Sequence, residues 1–527
     1  MPRNKQPKDL RSQCVTSIVR NIERHWIKMK NDLQLSKPID DPETKLKYII
    51  GPFEVIDDQT IACILKQLYQ MNLFNKNYLY LCLHSQIKSI DLSFIRKKNF
   101  FNAVICNFIG NNCYNVVELN LSSLNELPSR NICLLINSMK YLRKLDLSHT
   151  KITQPVTKIL AKNCHKLEYL NLENCKFIFD DCIEDLMSIP NSKLHHLNVD
   201  NINLSDEIIE KALHTFKNLK FLYVSELVKR IQKFYIKNNR LDENGNELEN
   251  EKLTQYNLET VYIDPEVNLK ALQIEALMFT CPHLKNLRIN CLGQNEALAY
   301  LDGFNSLTEL TISNFSLQSF KFGGYFLDCL KSSLGKKLRV LSLIHLPDVN
   351  MRYLAKYCSN LVKLNIEFLD YYNPFTNKEI DNENEDIGLK NLRYLSINNT
   401  SSKYEKIHLN IGQFKKDLIN LLKNGQVKFL HLSGLNELDE EFFQCLFSTH
   451  AHRSTGFKFI HESIEIMELK EMNTIGSCLI MEYLLNNSKN CLKELALTEC
   501  KLISRFDSMK MRCLIKENNL DCVIKWS

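Results

Sequence analysis

The chain has 527 residues, with 67 lysines and arginines against 61 aspartates and glutamates, a formal net charge of +6. That excess is too small to imply a nucleic-acid surface, and no run of about 18 apolar residues offers a membrane span. With only 14 glycines, neither a GxGxxG nor a GxxxxGK[ST] motif occurs, so a nucleotide cradle has no anchor.

Taken in order, Met1 to Lys8 is basic and no apolar signal core follows, which argues against export. Leu10, Cys14, Ile18, Ile22 and Trp26 then fall at steps of four, with Val15, Val19 and Met29 alongside. This spacing predicts one amphipathic helix of roughly five turns. Gly51-Pro52 makes a break, and a second helix is expected from Asp57 to Gln70 with Ile61, Ile64, Leu65 and Leu68 as its apolar face.

From Ile87 onward a phrase of the form LxxLxL keeps returning. It is cleanest at Leu142, Leu167 and Leu492, with looser copies starting at Ile87, Val116, Leu194, Leu219, Leu258, Leu284, Leu307, Leu338, Leu361, Leu392, Val427 and Ile464. Alternate side chains of a strand face opposite sides, so Leu145 and Leu147 share one face and Lys144, Asp146 and Ser148 the other. One such strand cannot bury its apolar side alone; stacking of successive copies completes the core. The segment after each strand reads as helix, as from Thr153 to Cys164 with Val156, Ile159, Leu160 and Cys164 on one face. Asn- and Glu-rich insertions at Lys237 to Lys252 and Asp370 to Gly388, and a histidine-bearing stretch at Thr449 to Glu462, read as loops outside the core.

The 19 cysteines include no Cys-x-x-Cys pair. Cys113, Cys164, Cys281 and Cys358 lie three residues before a copy starts, Cys175 and Cys500 eight after, and Cys291 seven after. Most are read as reduced packing residues of a cytoplasmic or nuclear protein. This pattern resembles the cysteine-containing leucine-rich repeats typified by substrate-recognition subunits of ubiquitin ligases, over about Ile87 to Cys500. The resemblance implies an α/β solenoid, a horseshoe with a parallel concave sheet and an N-terminal helical cap. The expected organisation is an adaptor or cap region at 1–85, the repeat array at 86–500 and a C-terminal cap at 501–527.

Leu10-x-x-x-Cys14-x-x-x-Ile18 also resembles the BC box, by which substrate receptors of cullin-RING ligases bind elongin B–elongin C. That resemblance implies Leu10 inserted in an elongin C pocket, Cys14 packed beside it, Ile18 below, and a cullin-selecting segment at Pro52 to Leu68. Asp9 departs from the Ser, Thr or Pro usual before the box. Ile56 to Leu68 resembles instead the first helix of an F-box, which would recruit the F-box adaptor, but Asp57 stands at that family's proline and no Cys-x-x-Trp follows. Both helices could equally serve only to cap the array.

Three side chains per repeat are expected on the concave face: Tyr169, Asn171 and Glu173; His196, Asn198 and Asp200; Phe221, Tyr223 and Ser225; Thr260, Tyr262 and Asp264; Asn286, Arg288 and Asn290. Tyr169, His196, Phe221, Tyr223, Tyr262 and Arg288 form the candidate patch for a protein substrate, since tyrosine and arginine dominate binding hot spots. Tyr394, Phe429 and His431 form a smaller set. The alternative is that aromatic residues simply suit strands.

No catalytic constellation is expected. His450, His452 and His461 have no cysteine pair beside them for zinc. Cys164 beside His165 belongs to packing, and Cys63 and Cys82 are expected in apolar surroundings that disfavour a thiolate. The reading is a non-catalytic recognition subunit with no cofactor or metal, binding neither nucleic acid nor membrane. The alternatives are a plain interaction scaffold and an inhibitor-type regulator, the latter requiring a strongly charged concave face.

Overall fold

The computed structural model describes residues 10–22, 53, 56–96, 100–238, 254–261, 263, 269–290, 295–313, 325–346, 349, 351–367, 389–399, 411–423, 426–447, 463–486, 491–518 and 520–527. Two compact units divide the chain: Met1–Leu227 with Tyr256–Leu258, and Val228–Gln255 with Glu259–Ser527. Both insertions read as loops, Trp26, and His450, His452 and His461 fall wholly or largely outside the described residues.

The first unit opens with helices α1 (Leu10–Ile22), α2 (Asp58–Gln70) and α3 (Lys76–Cys82). Six short strands follow: β1 (Ser89–Asp91), β2 (Glu118–Asn120), β3 (Lys144–Asp146), β4 (Tyr169–Asn171), β5 (His196–Asn198) and β6 (Phe221–Tyr223). A helix joins each strand to the next, and every neighbouring pair is parallel with no slip between repeats. Each strand begins two residues after a phrase start, so position is conserved from coil to coil. Leu145, Leu147, Leu170 and Leu172 are fully buried. Burying such a side chain contributes about 1.5–3 kcal/mol, which is why the leucine positions, not the loops, set the repeat.

The second unit continues the same plan with β7 (Thr260–Val261), β8 (Asn286–Asn290), β9 (Glu309–Ser313), β10 (Val340–Ile344), β11 (Lys363–Glu367), β12 (Tyr394–Asn398), β13 (Phe429–Ser433), β14 (Ile466–Lys470), β15 (Glu494–Thr498) and β16 (Val523–Trp526), again all parallel in chain order. The architecture is a leucine-rich-repeat solenoid. The segment 501–527 supplies the helix Arg505–Glu517 and β16, whose Ile524 is buried against the preceding coil.

Two local devices recur. In most of the described coils the residue seven after a phrase start takes a left-handed backbone, with φ of 63° at Ser123, 56° at His149, 58° at Asn174 and 55° at Asn201. That turn aims the residue's N–H at the next coil: Ser123 donates to the Ser148 carbonyl at 2.8 Å and His149 to the Glu173 carbonyl at 2.8 Å. The second device, found in the first five coils, is an Asn or Asp four residues after the start. Its side-chain oxygen accepts the N–H two residues on, from Ser122 at Asn120, Ser148 at Asp146, Glu173 at Asn171 and Asp200 at Asn198, at 2.9–3.0 Å. These bonds stop the strand and start the turn.

Cys113, Cys164, Cys281 and Cys358 are all fully buried, and the first three end helices by donating their N–H four residues back. Burial pushes each of these four thiols up to about 12. Cys175 Sγ lies 3.1 Å from the Leu147 carbonyl, and Cys500 Sγ lies 3.4 Å from that of Leu469. Every cysteine whose side chain is described is free. Cys63 corrects the expectation of apolar surroundings: it is exposed, because it projects from the side of α2 opposite Ile61 and Leu65.

Candidate functional site

On the open face of the first unit, parallel register sets Tyr169 beside His196 and His196 beside Phe221. The Tyr169 and His196 rings stack, with centroids 4.2 Å apart and planes 23° apart. Phe221 and Tyr223 lean on the same imidazole from 5.6 Å and 5.3 Å. All four side chains are half-buried. Their burial, with His195 adding repulsion, lowers His196 to about 4, so the imidazole is a neutral aromatic surface near neutral pH. Tyr169 is raised above the usual phenol value, chiefly by burial and then by the Asp146 carboxylate.

Polar groups flank this cluster. The Asn171 amide donates to Asp146 Oδ2 at 3.1 Å, the Asn198 amide to Glu173 Oε2 at 3.3 Å, and the Ser225 hydroxyl to Asp200 Oδ1 at 2.7 Å. These bonds run along the stacking direction and hold the acids in place. At the same inward positions of β1–β6, the charged residues are Asp91, Glu118, Asp146, Glu173 and Asp200 against Lys144 alone. On β8–β16 the count is even: Glu309, Glu367, Glu468 and Glu494 against Arg288, Lys363, Lys470 and Lys525. The face of the first unit is therefore acidic in balance, and that of β8–β16 is even.

Of the six residues expected to form one patch, the structure brings together Tyr169, His196, Phe221 and Tyr223. Tyr262 lies outside the described residues. Arg288 belongs to the second unit, half-buried on β8, and its Nε has no hydrogen-bond partner among the described residues. The smaller set is assembled as well. Tyr394 and Phe429 stack at 4.3 Å with planes 2° apart, and His431 Nδ1 lies 3.0 Å from Glu468 Oε2. The Lys363 ammonium sits over the Tyr394 ring, 4.4 Å from its centroid.

The other candidate surface is α1. It leans on α2 through Val15, Val19 and Ile22, each at most 3% exposed. Arg11 reaches across to Thr60, Gln59 and Asp57, and Gln67 donates to the Thr16 hydroxyl at 3.1 Å. Asp57 caps α2 by accepting the Thr60 N–H at 3.0 Å. The Thr60 hydroxyl, the Thr60 N–H and Arg11 together outweigh desolvation and hold the Asp57 carboxyl below its usual value. Cys14 is exposed and Ile18 half-buried, so the stripe read at steps of four splits in two. The cause is geometric: steps of four overshoot the 3.6-residue turn by about 40° each, and the line drifts across the helix from exposed Cys14 to buried Ile22. The Leu10 side chain lies outside the described residues.

A groove of about 620 Å³ in the first unit escaped sequence reasoning; Ile95, Phe100, Phe101, Leu127, Pro128 and His149 contribute to its wall. The long link between β1 and the next helix, interrupting the repeat, was the available signal. Among the described residues no group of His, Cys, Asp and Glu is arranged to hold a metal ion, and no helix is long and apolar enough to cross a membrane.

No family model and no curated protein matches the chain. Among solved structures, the crystal structure of the Rad7 and Elc1 complex in yeast aligns over 94% of this chain and 95% of that one, at 14% identity and a TM-score of 0.40. The TLR13–ssRNA13 complex covers 84% of this chain and 65% of that one, at 17% identity and a TM-score of 0.36. The leucine-rich repeat-containing protein LegL7 from Legionella pneumophila covers 54% of this chain and 93% of that one, at 16% identity and a TM-score of 0.33. At these scores the likenesses bear on no partner or activity.

Proposed function

We infer that this chain is a non-catalytic recognition subunit, a substrate receptor of a cullin-RING ubiquitin ligase. In this reading α1 docks elongin B–elongin C, and the open sheet face of the first unit holds a protein substrate. The supporting observation is the two-sided use of α1. Val15, Val19 and Ile22 fasten it to α2, while Cys14, on the BC-box line, faces solvent and Ile18 stays partly open. A helix used only as a cap needs no apolar or thiol side chain on its outer flank. The F-box reading is weaker on the same ground, because Ile61, Ile64, Leu65 and Leu68 of α2 are all spent inside the chain. The role of the ligase subunit is proximity: a bound substrate is held at high effective concentration beside the conjugating enzyme.

The test is capture of purified elongin B–elongin C by the full-length chain. The wild type is expected to bind. Leu10→Ala with Ile18→Ala is expected to weaken binding about tenfold or more, since each buried aliphatic side chain contributes about 1.5–3 kcal/mol. Absence of binding by a folded wild type overturns the ligase reading and leaves an interaction scaffold.

A further inference from the structure

The first unit differs from the second in one chemical respect. Its inward positions carry five carboxylates and one lysine, and that lysine, Lys144, is already paired with Glu118 at 2.6 Å. His149 Nε2 lies 3.8 Å from Glu173. Among the described residues, no lysine or arginine stands within ion-pair distance of Asp91, Asp146 or Asp200. Their hydrogen bonds come from neutral amides and hydroxyls, which position the charge without cancelling it.

The aromatic rings give an independent indication. In the second unit the stacked pair Tyr394 and Phe429 is already covered by a cation, Lys363 at 4.4 Å. In the first unit, the equivalent stack of Tyr169 on His196 has no lysine or arginine over it among the described residues. A ring face bordered by carboxylates favours a cation within about 6 Å of its centroid, because quadrupole and charge attract it together. The same face repels a phosphate backbone. Six rows spaced about 4.8 Å apart span about 24 Å, the reach of roughly seven extended residues.

We propose that the open face of the first unit binds a basic peptide segment of its protein partner, with an arginine or lysine laid over Tyr169 and neighbouring positive charges against Asp146 and Asp200. This deepens, and rests on, the reading of that face as the substrate site. The two stacks then differ in kind: one is closed by its own lysine, the other by the partner's.

The experiment measures fluorescence anisotropy of full-length protein with labelled peptides of about eight residues, one alternating Arg with Ser and one alternating Glu with Ser. The wild type is expected to prefer the arginine peptide by about tenfold or more at low salt, with the preference shrinking as salt screens it. Asp146→Asn with Asp200→Asn removes two charges. The first change keeps the turn, because Asn120, Asn171 and Asn198 make the same bond in neighbouring coils. This variant is expected to lose at least about fivefold in arginine-peptide affinity, and Tyr169→Ala at least about threefold, in line with an exposed cation–π contact. Far-ultraviolet circular dichroism checks that each variant is folded. Equal binding of the two peptides by the wild type, or an undiminished arginine affinity in the Asp146/Asp200 variant, overturns the proposal. Adaptor capture through α1 is read separately, so a chain that captures elongin B–elongin C yet ignores the arginine peptide refutes only the basic-segment claim.

Discussion

Replacing Cys164 by alanine and by serine separates a packing thiol from a working one. Cys164 is fully buried at the end of the helix Gln154–Asn163, and its thiol is pushed up to about 12 by burial. Its nearest acceptor is the Met139 carbonyl, 3.7 Å from Sγ. A hydroxyl needs an acceptor at about 2.5–3.0 Å, and an oxygen on a shorter bond to Cβ reaches this one no better. Alanine therefore removes a small apolar group and is expected to cost about 1 kcal/mol, with a small cavity term. Serine leaves a buried hydroxyl without a partner, which adds about 1–3 kcal/mol. The expected order of stability is cysteine, then alanine, then serine, with serine lowest by a total of about 2–4 kcal/mol. Urea denaturation followed by circular dichroism gives the order from the midpoints. Amide exchange at the adjoining coils adds a local reading, because long repeat arrays depart from two-state behaviour. A serine variant as stable as the alanine variant refutes the assignment of these cysteines to the apolar core.

Two further outcomes test the register and the electrostatics. Leu170→Ala should cost about 2–5 kcal/mol, while Tyr169→Ala, one residue away on the half-open face, should cost well under half of that; a reversed order in the same denaturation assay would contradict the alternation of faces. His196 titrates in the folded chain at about 4, below its ordinary value of 6.5. Between those two values the unfolded chain holds a proton that the folded chain lacks, so stability should fall as pH drops from about 6.5 toward 4. His196→Gln should remove that part of the pH dependence when midpoints are compared at about pH 7 and about pH 4.5, and an unchanged slope would remove the histidine from the account.

Much of the solenoid was legible because its signal is periodic. Every phrase start from Ile87 to Leu492 is followed two residues later by a strand, even where Ile or Val stands for Leu. The last strand, β16, is hidden from sequence reading because Asp521 occupies the leading apolar position, and Ile524 and Trp526 alone carry the pattern. The left-handed turns were illegible for another reason. Ser123, His149, Asn174 and Glu226 share a conformation imposed by the coil-to-coil ladder and not by glycine, so no residue type marks the place. At the candidate site, strand parity was enough to put Tyr169, His196, Phe221 and Tyr223 on one face. Parity could not tell that Asn171 and Asn198 serve the turn while orienting neighbouring acids, since that depends on which lone pair each donor meets. Cys14 and Val15 are adjacent in sequence, and only the position of α2 decides which of them is covered.

The turn-forming site four residues into each of the first five coils treats aspartate and asparagine alike, because the strand is stopped by one oxygen that both possess. What differs is whether the second head atom is a further oxygen or a nitrogen. The scaffold is blind to that exchange, while a visiting chain is not. Successive coils thus form a row of sites at which the sign presented to a guest can be rewritten singly, with the architecture underneath left as it was.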